Sequence, residues 1–453
     1  MGRYSVVTSS NAFLPGRNGP HPATLEIDSS SGKITAVHNG VKPLSAFPGL
    51  SEDSYLDLRD KWLLPGLVDA HVHLNEPGRT EWEGFATGTA AAASGGVTTV
   101  IDMPLNAIPP TTTVANLGEK VAASKGQCRV DVGFWGGVIP GNENDLVPLA
   151  KAGVKGFKCF LIESGVDEFP SHDQEASSLF LFHAELDAPA APNPLPPSDP
   201  SPPSDAYSTF LSSRPESLET TAIALIIRCA EQHPTLRTHI VHLSAASALP
   251  LIRATRAKGL PLSVETCFHY LVLSSEQIAK GNTLYKCCPP IREEVNRDAL
   301  WDALIKGDID FVVSDHSPCT VELKRLEDGD FMKAWGGIGG LGLGLSLLWT
   351  EANKRGVGMS RVLEWVAEKP ARQVRLEESK GSLKVGADAD FVVFDPSIIF
   401  TVNKSELHFK NRASPYEGLK LTGAVQQTYL RGEKIYDRAT GFAGLVPSGQ
   451  LLL

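Results

Sequence analysis

No stretch of this sequence is long and apolar enough to span a bilayer. The best candidate, around Leu341–Trp349, is short and broken by glycine. The N-terminus has no basic start followed by an apolar core, so no signal peptide is expected. Val6 stands where a myristoylation signal has Ser or Thr, and Leu451-Leu452-Leu453 is not the peroxisomal tripeptide. Cysteine is sparse and irregular: Cys128, Cys159, Cys229, Cys267, Cys287, Cys288 and Cys319 make an odd set of seven, with no second pair at zinc-finger spacing from Cys287 and Cys288. That excludes a disulfide framework and fits free thiols in a reducing compartment. An excess of basic charge is also missing. The formal net charge of −10 argues against nucleic acid or an anionic membrane as main partner. Internal repeats are absent. A soluble, cytoplasmic protein is expected.

What is there is a long, ordinary globular composition, 453 residues with 42% hydrophobic and 21% charged, enough for a large α/β unit and a small accessory domain. The first 62 residues hold short β-like runs, such as Ala23–Ile27 and Lys33–Val37, between Gly, Pro and Ser turns. From Gly381 the same texture returns in Asp390–Phe394 and Thr422–Leu430. Residues 1–62 and 381–453 are therefore expected to combine into one β domain. Between them, residues 63–380 alternate short β-branched runs with helical stretches. Eight strands are expected: Gly66–His71, Thr98–Asp102, Val130–Trp135, Val154–Lys158, Leu179–His183, Thr238–His242, Pro261–Glu265 and Asp310–Asp315. Eight such units predict a (β/α)₈ TIM-like barrel. One segment, Ala188–Ser204, is a Pro/Ser-rich insertion that offers little to bury and reads as an exposed excursion.

The chemistry sits where apolar runs end. Leu67-Val68-Asp69-Ala70-His71-Val72-His73 closes on His-x-His, and alternation along a strand turns both imidazoles to one side, where they can grip one cation. Lys158, His183, His242 and Asp315 each close another apolar run. One polar strand end is commonly structural; five together in a barrel point to a shared site. Lys158 cannot ligate a cation as an ammonium. As a carbamate formed with carbon dioxide it is anionic and can bridge two metals, and burial favours that reaction by lowering its pKa. Pairing of Lys158 with a nearby acid is the open alternative.

These residues resemble a known family. The run Pro65 to Pro77, Gly156-Phe157-Lys158-Cys159-Phe160, Val241-His242-Leu243-Ser244 and Ser314-Asp315-His316-Ser317-Pro318 are similar to the cyclic amidohydrolases of the amidohydrolase superfamily. Among these they look most like the allantoin-hydrolysing ones, and Phe160–Pro170 resembles the fungal type. Ala334–Ile338, Gly386–Phe391 and Ser414-Pro415-Tyr416 extend the likeness nearly end to end. The resemblance implies a two-metal site, usually zinc with cobalt, manganese or nickel as substitutes. His71, His73 and Asp315 would hold one ion and His183 and His242 the other, with Lys158 as its N6-carboxylysine between them. It also implies a β-sandwich built from both chain ends and a homotetramer.

A hydroxide shared by the metals would then attack a ring amide carbonyl, with Asp315 taking its proton and passing it to the leaving nitrogen. Ring contacts are expected from Ser317, Cys288, Asn106 and Gly337. Cys288 stands where relatives often carry serine. Two other readings stay open. A dihydropyrimidinase or hydantoinase would share every ligand, although its relatives often carry a tyrosine soon after the bridging lysine, and here Cys159-Phe160-Leu161-Ile162 follow. A catalytically dead scaffold protein would have lost ligands that are intact here.

Overall fold

The computed structural model describes residues 3–164, 179–186 and 202–453. Of the Pro/Ser-rich insertion, residues 188–201 lie outside the described residues.

Each of the eight apolar runs in the middle of the chain carries a strand. Leu67–Val72, Val97–Asp102 and Asp131–Phe134 form one parallel sheet. Gly136–Gly137, Phe157–Phe160, Phe180–His183, Thr238–Ile240, Leu262–Cys267 and Phe311–Val313 form a second, also parallel throughout. Their residues are almost all buried, as expected for parallel strands covered on both faces. Helices alternate with them in the chain. Glu216–Gln232 shows why they dock: Leu218, Ala222, Ile223, Ile226, Ile227 and Ala230 recur at helical spacing and are buried on one face. The first strand also meets the segment after the last. Val72 bridges His316 in parallel, and the His73 N–H donates to the His316 carbonyl at 2.8 Å.

Several strand ends differ from expectation, and the fourth and seventh strands run two residues past Lys158 and Glu265, to Phe160 and Cys267. The fourth strand starts at Phe157 rather than Val154, because Gly156 has φ +156° and a Cβ there would lie 2.6 Å from the Leu179 carbonyl oxygen. The strands expected to reach His242 and Asp315 stop at Ile240 and Val313. His242 and Asp315 lie two residues beyond, at φ 39° and 42°, so the chain turns at each of these side chains instead of running through it.

Both chain ends enter one eight-stranded sheet. Its order runs Glu433–Asp437, Lys420–Leu430, Phe391–Thr401, Trp62–Pro65, Val6–Ala12, His21–Ile27, Ile34–Asn39, with Tyr55–Asp57 on Val6–Ala12. Phe391–Phe394 pairs antiparallel with Trp62–Pro65, which joins tail to head. One face buries a core of its own, including Val7, Leu25, Ile34 and Leu63 from the head and Leu383, Phe391, Val393 and Tyr429 from the tail.

A buried ionic network fastens this sheet to the parallel strands. The Lys380 ammonium meets Asp131 at 2.5 Å, Asp390 at 2.7 Å and Asp388 at 2.8 Å. Arg431 reaches the same Asp131 oxygen at 2.6 Å. Asp131 opens a parallel strand, whereas Asp388, Asp390 and Arg431 belong to the tail. Removing the central cation strands buried carboxylates, a loss typically worth about 3–5 kcal/mol. Lys380→Ala is expected to lower unfolding free energy by roughly that amount in urea titration. A variant within ~1 kcal/mol of wild type would show that Arg431 alone neutralises the cluster.

Candidate active site

A cleft opens where the parallel strands end. His71, His73, Lys158, His183, His242 and Asp315 all line it, and so do Ser317, Cys288, Asn106 and Gly337. The structure thus brings together every site residue expected from sequence.

Two donor groups are visible in it. In the first, the Asp315 carboxylate oxygen Oδ1 lies 3.2 Å from His71 Nε2 and 3.4 Å from His73 Nε2. In the second, His183 Nδ1 lies 3.0 Å from His242 Nε2. Lys158 is fully buried, with its ammonium 5.2 Å over the Phe160 ring. Phe160 in turn stacks on His183, centroids 4.5 Å apart and planes 15° from parallel.

Burial sets the protonation states. It pushes the Lys158 amine down to about 8, although Asp315 and Glu265 pull the other way. His73, His183 and His242 are all held below the ordinary histidine range by desolvation; the Lys158 charge adds to this at His183 and His242, and His242, with no carboxylate bonded to it, is lowered furthest. Desolvation alone would raise Asp315, but His71 and His73 outweigh it and hold the carboxyl well below the usual carboxylate range. Burial thus favours the neutral form of His73, His183 and His242, the form in which histidine ligates.

Sequence reading missed the groups that aim these donors. Glu265 lies 2.5 Å from His71 Nδ1 and 3.0 Å from His239 Nε2. Glu265 thereby orients the His71 ring, with Nε2 on the side that faces Asp315. Glu185 plays the same part for His183, 2.8 Å from Nε2, and is itself held at 2.5 Å by Arg214. Asn106 places its amide 3.2 Å from His73 Nδ1, so its contact is to a histidine as well as to the cleft. Asp69 accepts the Ser314 and His71 backbone N–H groups. Signals existed: Glu265 closes the seventh apolar run, and Glu185 lies two residues beyond His183. His269, also missed, is fully buried and neither ring nitrogen has a partner among the described residues. It comes within 4.8 Å of an Asp315 oxygen.

A model of the amidohydrolase family matches residues 62–171 and 210–435. The chain belongs to the amidohydrolase family. Within it, the chain is similar to allantoinases. It is 47% identical to the allantoinase of Saccharomyces cerevisiae, over 99% of this chain and 98% of that one. It is also 47% identical to the allantoinase of Streptomyces avermitilis, over 95% of each. Among solved structures, the L-hydantoinase (dihydropyrimidinase) of Arthrobacter aurescens matches with a TM-score of 0.86 at 26% identity, covering 98% of this chain and 99% of that one.

The family implies a binuclear metal site, and the donors here fit one. Two imidazole nitrogens and a carboxylate oxygen converge in one group, and two more imidazole nitrogens face each other in the other. His242 Nε2 faces His183 Nδ1, and His242 Nδ1 is buried with no partner among the described residues. Carboxylates behind His71 and His183 complete the arrangement typical of ligating histidines. Glu265→Gln keeps the shape and removes the charge behind His71. It is expected to lower metal occupancy or turnover roughly 10- to 100-fold. Metal per chain by elemental mass spectrometry after dialysis against a weak chelator checks this; full occupancy with full activity would assign Glu265 to packing alone.

Proposed function

We propose that this chain hydrolyses the hydantoin ring of allantoin to allantoate. The observation that carries the reading is the convergence of His71, His73, Lys158, His183, His242 and Asp315 on one cleft, in a chain 47% identical end to end to an allantoinase. His71, His73 and Asp315 would hold one divalent ion, His183 and His242 the other, and Lys158 both, as its carbamate. Zinc is the first expectation, from the imidazole-rich donor set. When bound, the metal pair supplies a nucleophilic hydroxide at neutral pH and polarises the ring carbonyl.

The chain's own residues do the rest. Asp315, ionised and facing the shared centre, takes a proton and returns it to the departing ring nitrogen. Glu265 and Glu185 fix the tautomers of His71 and His183. The left-handed backbone at His242 and Asp315 aims both side chains back into the cleft. Ser317, Cys288, Asn106 and Gly337, which line the cleft, would meet the ring's N–H and C=O groups. A depressed Lys158 amine has the nucleophilic lone pair that carbamate formation needs.

The wider reading follows the same lines. The two parallel sheets, joined through Val72 and His316, are read as one (β/α)₈ barrel spanning residues 63–380. The sheet from residues 1–62 and 381–453 is read as the main part of a β-sandwich domain. Assembly as a homotetramer acting in the cytoplasm completes the proposal. No helix among the described residues is long and apolar enough to cross a membrane.

A second reading, a hydantoinase or dihydropyrimidinase, is favoured by the likeness to the Arthrobacter aurescens enzyme. Cys159, Phe160, Leu161 and Ile162 after Lys158 supply no tyrosine for it. Side-by-side turnover of allantoin, hydantoin and dihydrouracil decides between them, with allantoin expected to give a kcat/KM at least ~100-fold higher, or about 2.7 kcal/mol. Preference for dihydrouracil would reverse the assignment. Lys158→Ala is expected to lose metal and at least ~1,000-fold in turnover, with partial recovery in acetate. An active, metal-loaded enzyme whose intact mass shows no carbon dioxide adduct would refute the carbamate.

A further inference from the structure

One wall of the cleft is an irregular stretch, Met332–Gly337, of which Trp335, Gly336 and Gly337 line the cavity. It has no ladder or helix to hold it. Asp330 caps its start, accepting the Met332 and Lys333 N–H groups, and two buried ammonium groups hold its carbonyls. Lys286 Nζ donates to the Met332 carbonyl at 3.1 Å and the Ala334 carbonyl at 2.6 Å. Lys324 Nζ donates to the Trp335 carbonyl at 3.2 Å, to the Gly337 carbonyl, and to the Lys286 carbonyl at 3.4 Å. Lys324 is 3% exposed and Lys286 7%, and neither has a carboxylate partner among the described residues.

A buried cation without a counter-ion is unfavourable, and carbonyl dipoles offset that only in part. An apolar side chain would fill the same volume without the cost. What an apolar side chain cannot do is fix four carbonyls of one segment at once. The tie also crosses the cleft's lining. Lys286 O accepts the Gly337 N–H at 2.9 Å as well as Lys324. The Lys286 segment continues into Cys287 and Cys288, which line the same cavity. The Trp335 N–H donates to Leu323 O, and the Thr283 hydroxyl to Lys324 O. Gly336 and Gly337 leave no slack: an added Cβ would lie 3.0 Å from Cys288 Sγ and 2.2 Å from Ser317 O, respectively. The wall is therefore pressed against two of the residues placed to meet the ring, and its position depends on the two lysines.

We propose that Lys324, supported by Lys286, is a positioning residue that sets affinity and selectivity for the cyclic ureide by clamping the Trp335–Gly337 wall against Cys288 and Ser317. This rests on the cleft being the ring-binding site. The clamp touches no metal donor, so its loss separates binding from chemistry.

The test is steady-state kinetics of purified, metal-loaded Lys324→Met beside wild type. KM for allantoin is expected to rise at least tenfold, with kcat within threefold and metal per chain unchanged. Lys286→Met is expected to show the same pattern more weakly. A wild-type KM in Lys324→Met, or a loss confined to kcat, overturns the clamp. If Lys324→Met fails to fold by circular dichroism, Gly337→Ala displaces the same wall, and a wild-type KM there overturns the clamp equally. Wild-type enzyme that opens hydantoin or dihydrouracil but not allantoin is a failure of the functional reading alone; the KM comparison is then made on the ring it opens.

Discussion

Desolvation of ionisable groups at the ends of parallel strands is the constraint on which this molecule turns. The members of the cluster are buried side by side, so none is charged or neutral independently of its neighbours. Asp315 stays ionised against its own burial because two imidazoles stand beside it. Glu265 is likewise held down to about 2, by His71 and His239 against burial. His73, His183 and His242 are held below the ordinary histidine range because burial outweighs the carboxylates near them. Lys158 is the member with no stable answer: its burial favours the amine, the acids favour the ammonium.

The scaffold serves this balance by fixing positions that local propensity would not choose. His242, Asp315 and Asn106 all have positive φ, a conformation that non-glycine residues adopt when surrounding packing over-determines it. The same economy appears at the cleft wall, where cations replace a hydrogen-bonded ladder. Together these features make a site whose donors are rigid before anything binds, which limits the reorganisation left for the reaction itself.

The architecture was legible because parallel strands write themselves as apolar runs, and because a polar residue closing such a run is easily seen. His71, Lys158, His183, His242 and Asp315 were found by that rule. The head and tail strands were legible from turn-rich texture, and they do share a sheet. What escaped were the partners. Glu265 closes a run just as Asp315 does, but nothing in spacing says that it faces an imidazole. Lys286 and Lys324 look like ordinary surface lysines in a linear sequence, since only the folded chain shows carbonyls gathered around them. Strand ends at His242 and Asp315 were misplaced by two residues because left-handed backbone at a non-glycine residue has no signature in composition.

The pairing of Trp62–Pro65 with Phe391–Phe394 bears on how the chain is made as well as how it stands. During synthesis the head strands emerge first, and their partner strand leaves the ribosome only near the end. Until then Trp62–Pro65 has an unpaired edge and its share of the second core has no tail to cover it. Exposed edges of that kind are templates for association with other chains. Production of this protein in a cell should therefore depend on holdase protection of the nascent head, and slow translation of the final third should raise aggregation without altering the finished fold.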